Sequence, residues 1–231
     1  MKPAIPEFRK ILKNTAVQAI MPEHLTPENT VAIDLSPQNK DPELAEVSNS
    51  ATMAAYAQKV VQQASKKYAY GGYGEHRVFY QRFPQYRSTG APRCIHLGID
   101  VWAPAGTAIY APLSAKVHSA AINDQPGDYG GTVILEHQLA GITFHTLYGH
   151  LSFASANKHS AGTVLPAGAL LGALGTEREN GGWPPHLHFQ TVMDMGNMQG
   201  DYPGVATQQA APQLLQNCPD PGVFFPYWGE G

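Results

Sequence analysis

The sequence predicts a mainly β fold: a compact antiparallel β-sandwich or partly open barrel that carries an N-terminal helical extension. Three observations lead there. Glycine (23) and proline (19) are frequent enough to break the 231-residue chain into many turns. From Pro92 onward the apolar stretches are short and bounded by such turns. Ahead of them, one longer stretch repeats its apolar residues at helical spacing.

Residues 1–49 are polar and proline-spaced, and they read as an arm with a short helix near Phe8 to Ile20. The arm has too little apolar content for a domain of its own, so it is expected to pack on the rest. Ser50 can cap a helix running from about Ala51 to Tyr68, where Met53, Tyr56, Val60, Ala64 and Tyr68 form one apolar stripe. Lys66 and Lys67 suit its C-terminal end, and Gly71-Gly72 is expected to stop it. Such a helix would cover one face of a sheet. Short strands follow at Thr107 to Tyr110, Lys116 to Ala120, Thr132 to His137, Ile142 to Tyr148, Leu170 to Leu174 and His186 to Val192, with a hairpin turn at Gly141. The expected division is an arm and covering helix over 1–92, a core over 93–192, and a docked tail over 193–231 that ends in the aromatic cluster Phe224 to Trp228.

Hydrophobic residues make up 43% and charged residues only 14%, enough for one sizeable core under a lightly charged surface. A net charge of −3, with no basic run beyond Lys66-Lys67, argues against a nucleic-acid partner. No stretch approaches a transmembrane span. The N-terminus lacks the continuous apolar core of a signal peptide. The expected location is therefore cytoplasmic, or periplasmic or cell-envelope if an export signal has been removed. Oligomeric state is not written in the sequence. Cys94 and Cys218 allow three readings: buried thiols, one bridge tying the tail to the site, or a thiolate ligand beside His96.

The richest chemistry lies in His186-Leu187-His188. On a strand, side chains alternate faces, so the two imidazoles share one face, about 6.6 Å apart along the backbone. His96 and Asp100 are four apart; on a straight strand that is about 13 Å, too far to share an ion. Gly98 between them permits a bend, and a helix would also bring them together. Adding His188 gives two imidazoles and a carboxylate, a set that suits zinc and leaves one position for water. His150 ends a strand on which Phe144, Thr146 and Tyr148 share its parity, so Phe144 and Tyr148 read either as the floor of a groove or as core. Trp183 and its preceding glycines read as a loop beside that groove. Glu75 and Arg77 read as substrate contacts, as groups behind the ligands or as a surface ion pair. His137 ends a strand whose same-face neighbours are Val133 and Leu135, His145 is out of phase with His150, and His24, His76, His118 and His159 lack a partner pattern.

The elements His96-x-x-x-Asp100, Tyr148-Gly-His150-Leu-Ser and His186-x-His188, in that order, resemble the M23 (lysostaphin-like) zinc metallopeptidases over residues 93 to 192. The resemblance implies that His96, Asp100 and His188 hold Zn2+ and that His150 and His186 are the catalytic histidines; the candidate substrate-binding residues read from the chain itself are Tyr148, Trp183, Glu75 and Arg77. It implies a folded antiparallel β core with a groove over the metal, and hydrolysis of peptidoglycan stem or cross-link peptides. The longer surround, including Gly71 to Arg77 and Glu179 to Gln190, is similar to the M23 branch that also occurs in kinase-like/aminotransferase fusion proteins. Three other readings remain: a non-catalytic binding module for peptidoglycan or a partner on the same fold, a zinc hydrolase of a small-metabolite amide or ester, and a phosphotransfer-type domain using one histidine.

Overall fold

The computed structural model describes residues 5–77, 80 and 91–225. In chain order its elements are α1 (Ile5–Lys13), β1 (Thr30–Ile33), α2 (Pro42–Glu46), α3 (Ser50–Gln63), β2 (Tyr68–Gly71), β3 (Arg93–His96), β4 (Ile99–Trp102), β5 (Ala108–Tyr110), β6 (Ala115–Asn123), β7 (Gly130–Leu139), β8 (Ile142–Leu151), α4 (Phe153–Ala156), β9 (Val164–Leu165), β10 (Leu170–Ala173), β11 (His186–Val192), β12 (Val205–Thr207) and α5 (Ala211–Asn217). Eight strands form one sheet in the order β1-β2-β4-β11-β8-β7-β6-β9; β10 pairs with β5, and β12 with β3. The fold is thus a mixed α/β architecture dominated by antiparallel sheet, with an N-terminal helix. No closed barrel is seen among the described strands: the large sheet ends at β1 and the two-residue β9, which are not paired to each other.

β1 and β2 are parallel neighbours, and such a pair needs a crossover. The segment containing α2 and α3 supplies it. α3 covers one face through Met53, Tyr56 and Ala57, which pack with Ala69, Trp102 and Trp183. The helix begins one residue away from the expected cap. Asn49 is the N-cap, accepting from the Thr52 backbone N–H while the Thr52 hydroxyl accepts from the Asn49 N–H. It also ends early: Ser65 adopts φ 55°, and Tyr68 leaves the helical stripe to open β2 in the main core. Gly71 therefore closes a strand, not a helix. α1 likewise stops at Lys13, short of Ile20.

The opposite face of the sheet carries the main core of Val101, Leu187, Phe189, Phe144 and Tyr148. α1 and the segment around Phe224 dock there. Phe8 of α1 meets Phe144 edge-on at 4.8 Å, and Phe224 meets Phe189 at 5.4 Å. Pro226, Tyr227 and Trp228 of the terminal cluster lie outside the described residues. The β7–β8 hairpin turns at Ala140-Gly141, both with positive φ (50° and 82°), the pattern of a type I′ turn. Cys94 and Cys218 are buried free thiols, so neither the bridge nor the thiolate ligand forms.

Candidate active site

Strand register assembles the site. β11 lies between β4 and β8, and His188 sits opposite Asp100 on one side and Gly149 on the other. Phe189 and Leu187 enter the main core, which leaves His186 and His188 on the other face. The chain bends between β3 and β4 at Leu97-Gly98, which brings His96 back over Asp100. Only glycine fits at the bend: a Cβ on Gly98 would lie 2.7 Å from the His188 ring and from the Phe189 carbonyl oxygen.

Three donor atoms converge there. His96 Nε2 lies 3.1 Å from His188 Nδ1 and 3.2 Å from Asp100 Oδ1, and His188 Nδ1 lies 3.1 Å from Asp100 Oδ1. All three residues are buried. The outward atoms fix the protons. His96 Nδ1 donates to the Gly72 carbonyl (2.9 Å), which leaves Nε2 bare in the neutral ring. His188 Nε2 donates to Gln190 Oε1 (2.9 Å), which leaves Nδ1 bare; Gln190 is itself oriented because its amide donates to the Pro203 carbonyl (3.1 Å) and to Cys218 Sγ (3.3 Å). Three lone pairs thus face one another with no proton between them, an arrangement that calls for a cation. Ligands about 2.0–2.1 Å from a tetrahedral zinc stand about 3.3 Å apart, close to the observed triangle. The residues fit zinc.

The electrostatics agree. Burial, and then the Arg77 guanidinium, push His96 down to about 4, so the ring is neutral. Burial alone would raise Asp100, but the His96 ring and Arg77 outweigh it and hold the carboxyl well below the usual carboxylate range. Arg77 Nη1 donates to Asp100 Oδ2 (2.5 Å) and to the Tyr80 hydroxyl (2.8 Å), while Nε donates to Glu75 Oε2 (2.6 Å). Glu75 Oε1 accepts the Leu35 N–H at 2.8 Å. Arg77 is only 1% exposed. Of the three readings of Glu75 and Arg77 (substrate contacts, groups behind the ligands, a surface ion pair), the contacts match the second: both stand behind a ligand with their polar atoms turned into the protein.

His150 and His186 share the chamber, their ring centroids 4.1 Å apart. Each is pinned through Nδ1: His150 donates to the Asn180 carbonyl (2.9 Å), His186 to the Pro184 carbonyl (2.7 Å). Both therefore carry Nε2 as the bare nitrogen, and His186 Nε2 lies 3.8 Å from Asp100 Oδ1. Burial, then the neighbouring His186 and His188 rings, push His150 well down; burial lowers His186 against the pull of Asp100. Trp102, opposite His186 in register, stacks on its ring at 5.8 Å. Trp183 stands beside His150 at 6.4 Å, held by paired hydrogen bonds to the Asn180 side chain. Met53, Tyr80 and Val205 complete walls around a chamber of about 40 Å³.

Tyr148 requires a correction. It is fully buried in the main core, its hydroxyl hydrogen-bonded to the Thr146 hydroxyl at 3.0 Å, and it does not line the chamber. The shared parity with His150 fails because His150 has φ 64°. That left-handed turn, held by His150 N–H to the Tyr129 carbonyl (2.7 Å) and Gly175 N–H to the His150 carbonyl (2.9 Å), throws His150 onto the opposite face. A non-glycine residue there costs roughly 1–2 kcal/mol, and such strain collects at functional sites. Sequence reasoning also passed over Gln190, Asn180, Trp102 and Tyr129. Gln190 was readable as the next same-face residue after His186 and His188. Tyr129 tilts over His188 with its hydroxyl 3.5 Å from Nε2, in space that Gly149 leaves free: a Cβ there would lie 2.5 Å from the tyrosine ring.

The profile of Peptidase family M23 matches residues 94–199, which contain all five of His96, Asp100, His150, His186 and His188. Among solved structures, a putative peptidase M23 from Pseudomonas aeruginosa is 24% identical, with 58% of this chain and 45% of that one covered and a TM-score of 0.37. A zinc-containing peptidase from Vibrio cholerae is 24% identical over 42% of this chain and 27% of that one, with a TM-score of 0.35. The catalytic domain of lysostaphin from Staphylococcus simulans is 22% identical over 52% of this chain and 80% of that one, with a TM-score of 0.36. This chain thus spans less than half the length of the first two. No curated protein matches it. No described helix is long and apolar enough to cross a membrane. Residues 94–199 of this chain are thus similar to peptidase family M23, and they hold the zinc-peptidase-like trio of His96, Asp100 and His188.

Proposed function

We propose that this chain is a zinc-dependent endopeptidase that hydrolyses peptide bonds in peptidoglycan stem or cross-link peptides by metal-activated water, on a folded M23-type β core with its groove over the ligands. The observation that carries the reading is the convergence of three unprotonated donor atoms within 3.1–3.2 Å, flanked by two imidazoles that keep Nε2 bare.

His96 Nε2, Asp100 Oδ1 and His188 Nδ1 are the atoms that hold the ion. Bound there, zinc supplies a Lewis acid for the scissile carbonyl and acidifies a water. The chain's own residues do the rest. His186 and His150 each offer an unprotonated Nε2 to take a proton, and each can return it to the leaving amine. Their Nδ1 bonds to backbone carbonyls keep the rings from rotating and stabilise the protonated form once it exists. The two rings are too close for both to be charged at once, so one proton moves through the pair. Trp183 and Trp102 exclude bulk water from it. The chamber has room for a few waters, not a peptide, so Met53, Tyr80 and Trp183 must shift to admit substrate.

Digestion of purified peptidoglycan and of defined stem and bridge peptides by zinc-loaded protein, with products assigned by mass spectrometry, tests the proposal. Expected are product pairs whose masses sum to the substrate plus one water. One equivalent of bound zinc with no product from any of these substrates would instead support a binding module.

A further inference from the structure

We infer that the segment Gly72–Arg77, which precedes the family-matched residues, is part of the metal centre, and that Arg77 is the positioning residue committing Asp100 to the metal through a single oxygen. The inference rests on the zinc reading of the trio.

The segment grips His96 at three atoms. Its Gly72 carbonyl accepts from His96 Nδ1 (2.9 Å), its Glu75 carbonyl accepts the His96 N–H (3.0 Å), and its Gly74 N–H donates to the His96 carbonyl (2.9 Å). Arg77 N–H then donates to the Cys94 carbonyl at 2.8 Å, and His76 bridges Ile95. The segment is thus laid along β3 like an added strand, and its end carries the guanidinium to Asp100.

At Asp100 the two oxygens have separate duties. Oδ2 accepts from Arg77, and Oδ1 faces the two bare histidine nitrogens. An unheld carboxylate can rotate to offer both oxygens or neither. A free arginine would repel a divalent cation, but Glu75 Oε2, 2.6 Å from Nε, cancels that charge. The pair therefore contributes oriented N–H donors with little net field. Its fit is tight: a Cβ on Gly71 would lie 2.8 Å from Arg77 Nη2 and 2.8 Å from the Trp102 ring. Lysine has one nitrogen where arginine's fork serves Asp100, Tyr80 and Glu75 together, so it can hold Asp100 only by releasing Glu75.

The test uses the full chain as wild type, Arg77→Met and Arg77→Lys. Zinc affinity is read by competition with a chromophoric chelator, ligand geometry by the visible spectrum of the Co(II) form, and folding by thermal unfolding of the metal-free protein. Arg77→Met is expected to bind zinc about 10–100-fold more weakly, the usual cost of losing a group that orients a ligand. Its Co(II) band should weaken as Asp100 swings to give both oxygens. Arg77→Lys should fall between Met and wild type in both readings. Zinc affinity for Arg77→Met within twofold of wild type, with an unchanged Co(II) band, overturns the inference while leaving the zinc reading intact. Lysine no better than methionine also overturns it, since the effect would then be general packing. If Arg77→Met does not fold, Arg77→Lys decides alone: a severalfold loss with an altered band supports the inference, and parity with wild type overturns it. Wild type that takes up neither metal overturns the zinc reading and this inference together.

Discussion

Histidines gather at both ends of the hairpin β7–β8, on it and on its neighbours, and the two ends use them differently. At the turn end, His137 has both nitrogens engaged, by the Ser114 carbonyl (3.1 Å) and the Thr146 hydroxyl (2.8 Å), and stacks on Phe144 at 5.0 Å. Nearby, His145 lies 3.9 Å from Glu136, and His118 bonds the Ser119 hydroxyl at 2.8 Å. At the other end, His96 and His188 spend one nitrogen on an orienting acceptor and keep the second for a shared point in space. Burial is alike at both ends for His137 and His188. A histidine becomes a ligand not by being buried but by having one nitrogen tied and its other lone pair left to meet others.

The largest expected effect breaks the converging end outright. His188→Ala should reduce bound zinc from one equivalent to near none, with hydrolysis lost, whereas His137→Gln should keep the full equivalent. Metal analysis after gel filtration checks both. Equal zinc in His188→Ala and wild type would erase the distinction between the ends.

The next effect divides the converging end itself. His150→Ala and His186→Ala leave the three donor atoms in place, so each should retain most zinc yet lose a hundredfold or more in turnover, the usual worth of a positioned proton-transfer group. Zinc stoichiometry measured beside peptide hydrolysis reads the two quantities separately. Loss of the ion in both variants would make these histidines ligands instead.

Much of the converging end was legible from sequence because it depends on local rules. Alternation put His186 and His188 on one face, and the demand for a bend between His96 and Asp100 pointed to Gly98. What was not legible depends on distant chain. Arg77 reaches Asp100 only because 72–77 lies along β3, which no periodicity announces. Tyr148 was placed with His150 by parity, and one positive φ reversed the sense of that face. The helical stripe ran on to Tyr68 because spacing alone could not reveal that Ser65 turns left-handed and that β2 begins there. The sheet was expected as a sandwich or barrel because short strands do not disclose their order or whether the edges meet.

The turn end should reveal itself through pH. Burial holds His137 down to about 4 against an ordinary 6.5. The unfolded chain therefore takes up a proton at His137 before the folded protein does. The stability tied to the neutral ring is complete above about 6.5 and is lost as pH falls from there towards 4. Between pH 7 and 4.5 this amounts to about 2 kcal/mol. Urea unfolding of wild type should lose that much more over the window than His137→Gln does. Identical pH dependence of the two would mean that the buried ring is protonated within the fold.

The smallest effect belongs to His118→Ala. Its ring is half-buried, and its partner Ser119 also accepts the Gly200 N–H at 2.8 Å, so Ser119 stays anchored when the ring goes. A cost of about 0.5–1 kcal/mol at pH 7.5 is expected, with zinc content unchanged. The cost should shrink at pH 5.5. The His118 and His145 rings lie 5.0 Å apart, and His145 is lowered by burial first and then by the charge of His118. Removing His118 relieves the second cause, so the His145 pKa moves back towards its ordinary value. Below that value the folded protein then gives up less stability. Urea midpoints at pH 5.5 and 7.5 read the smaller cost, while zinc analysis of the same samples tests the stronger claim. Should His118→Ala shed an equivalent of zinc, the turn end would be a second converging site despite its tied nitrogens.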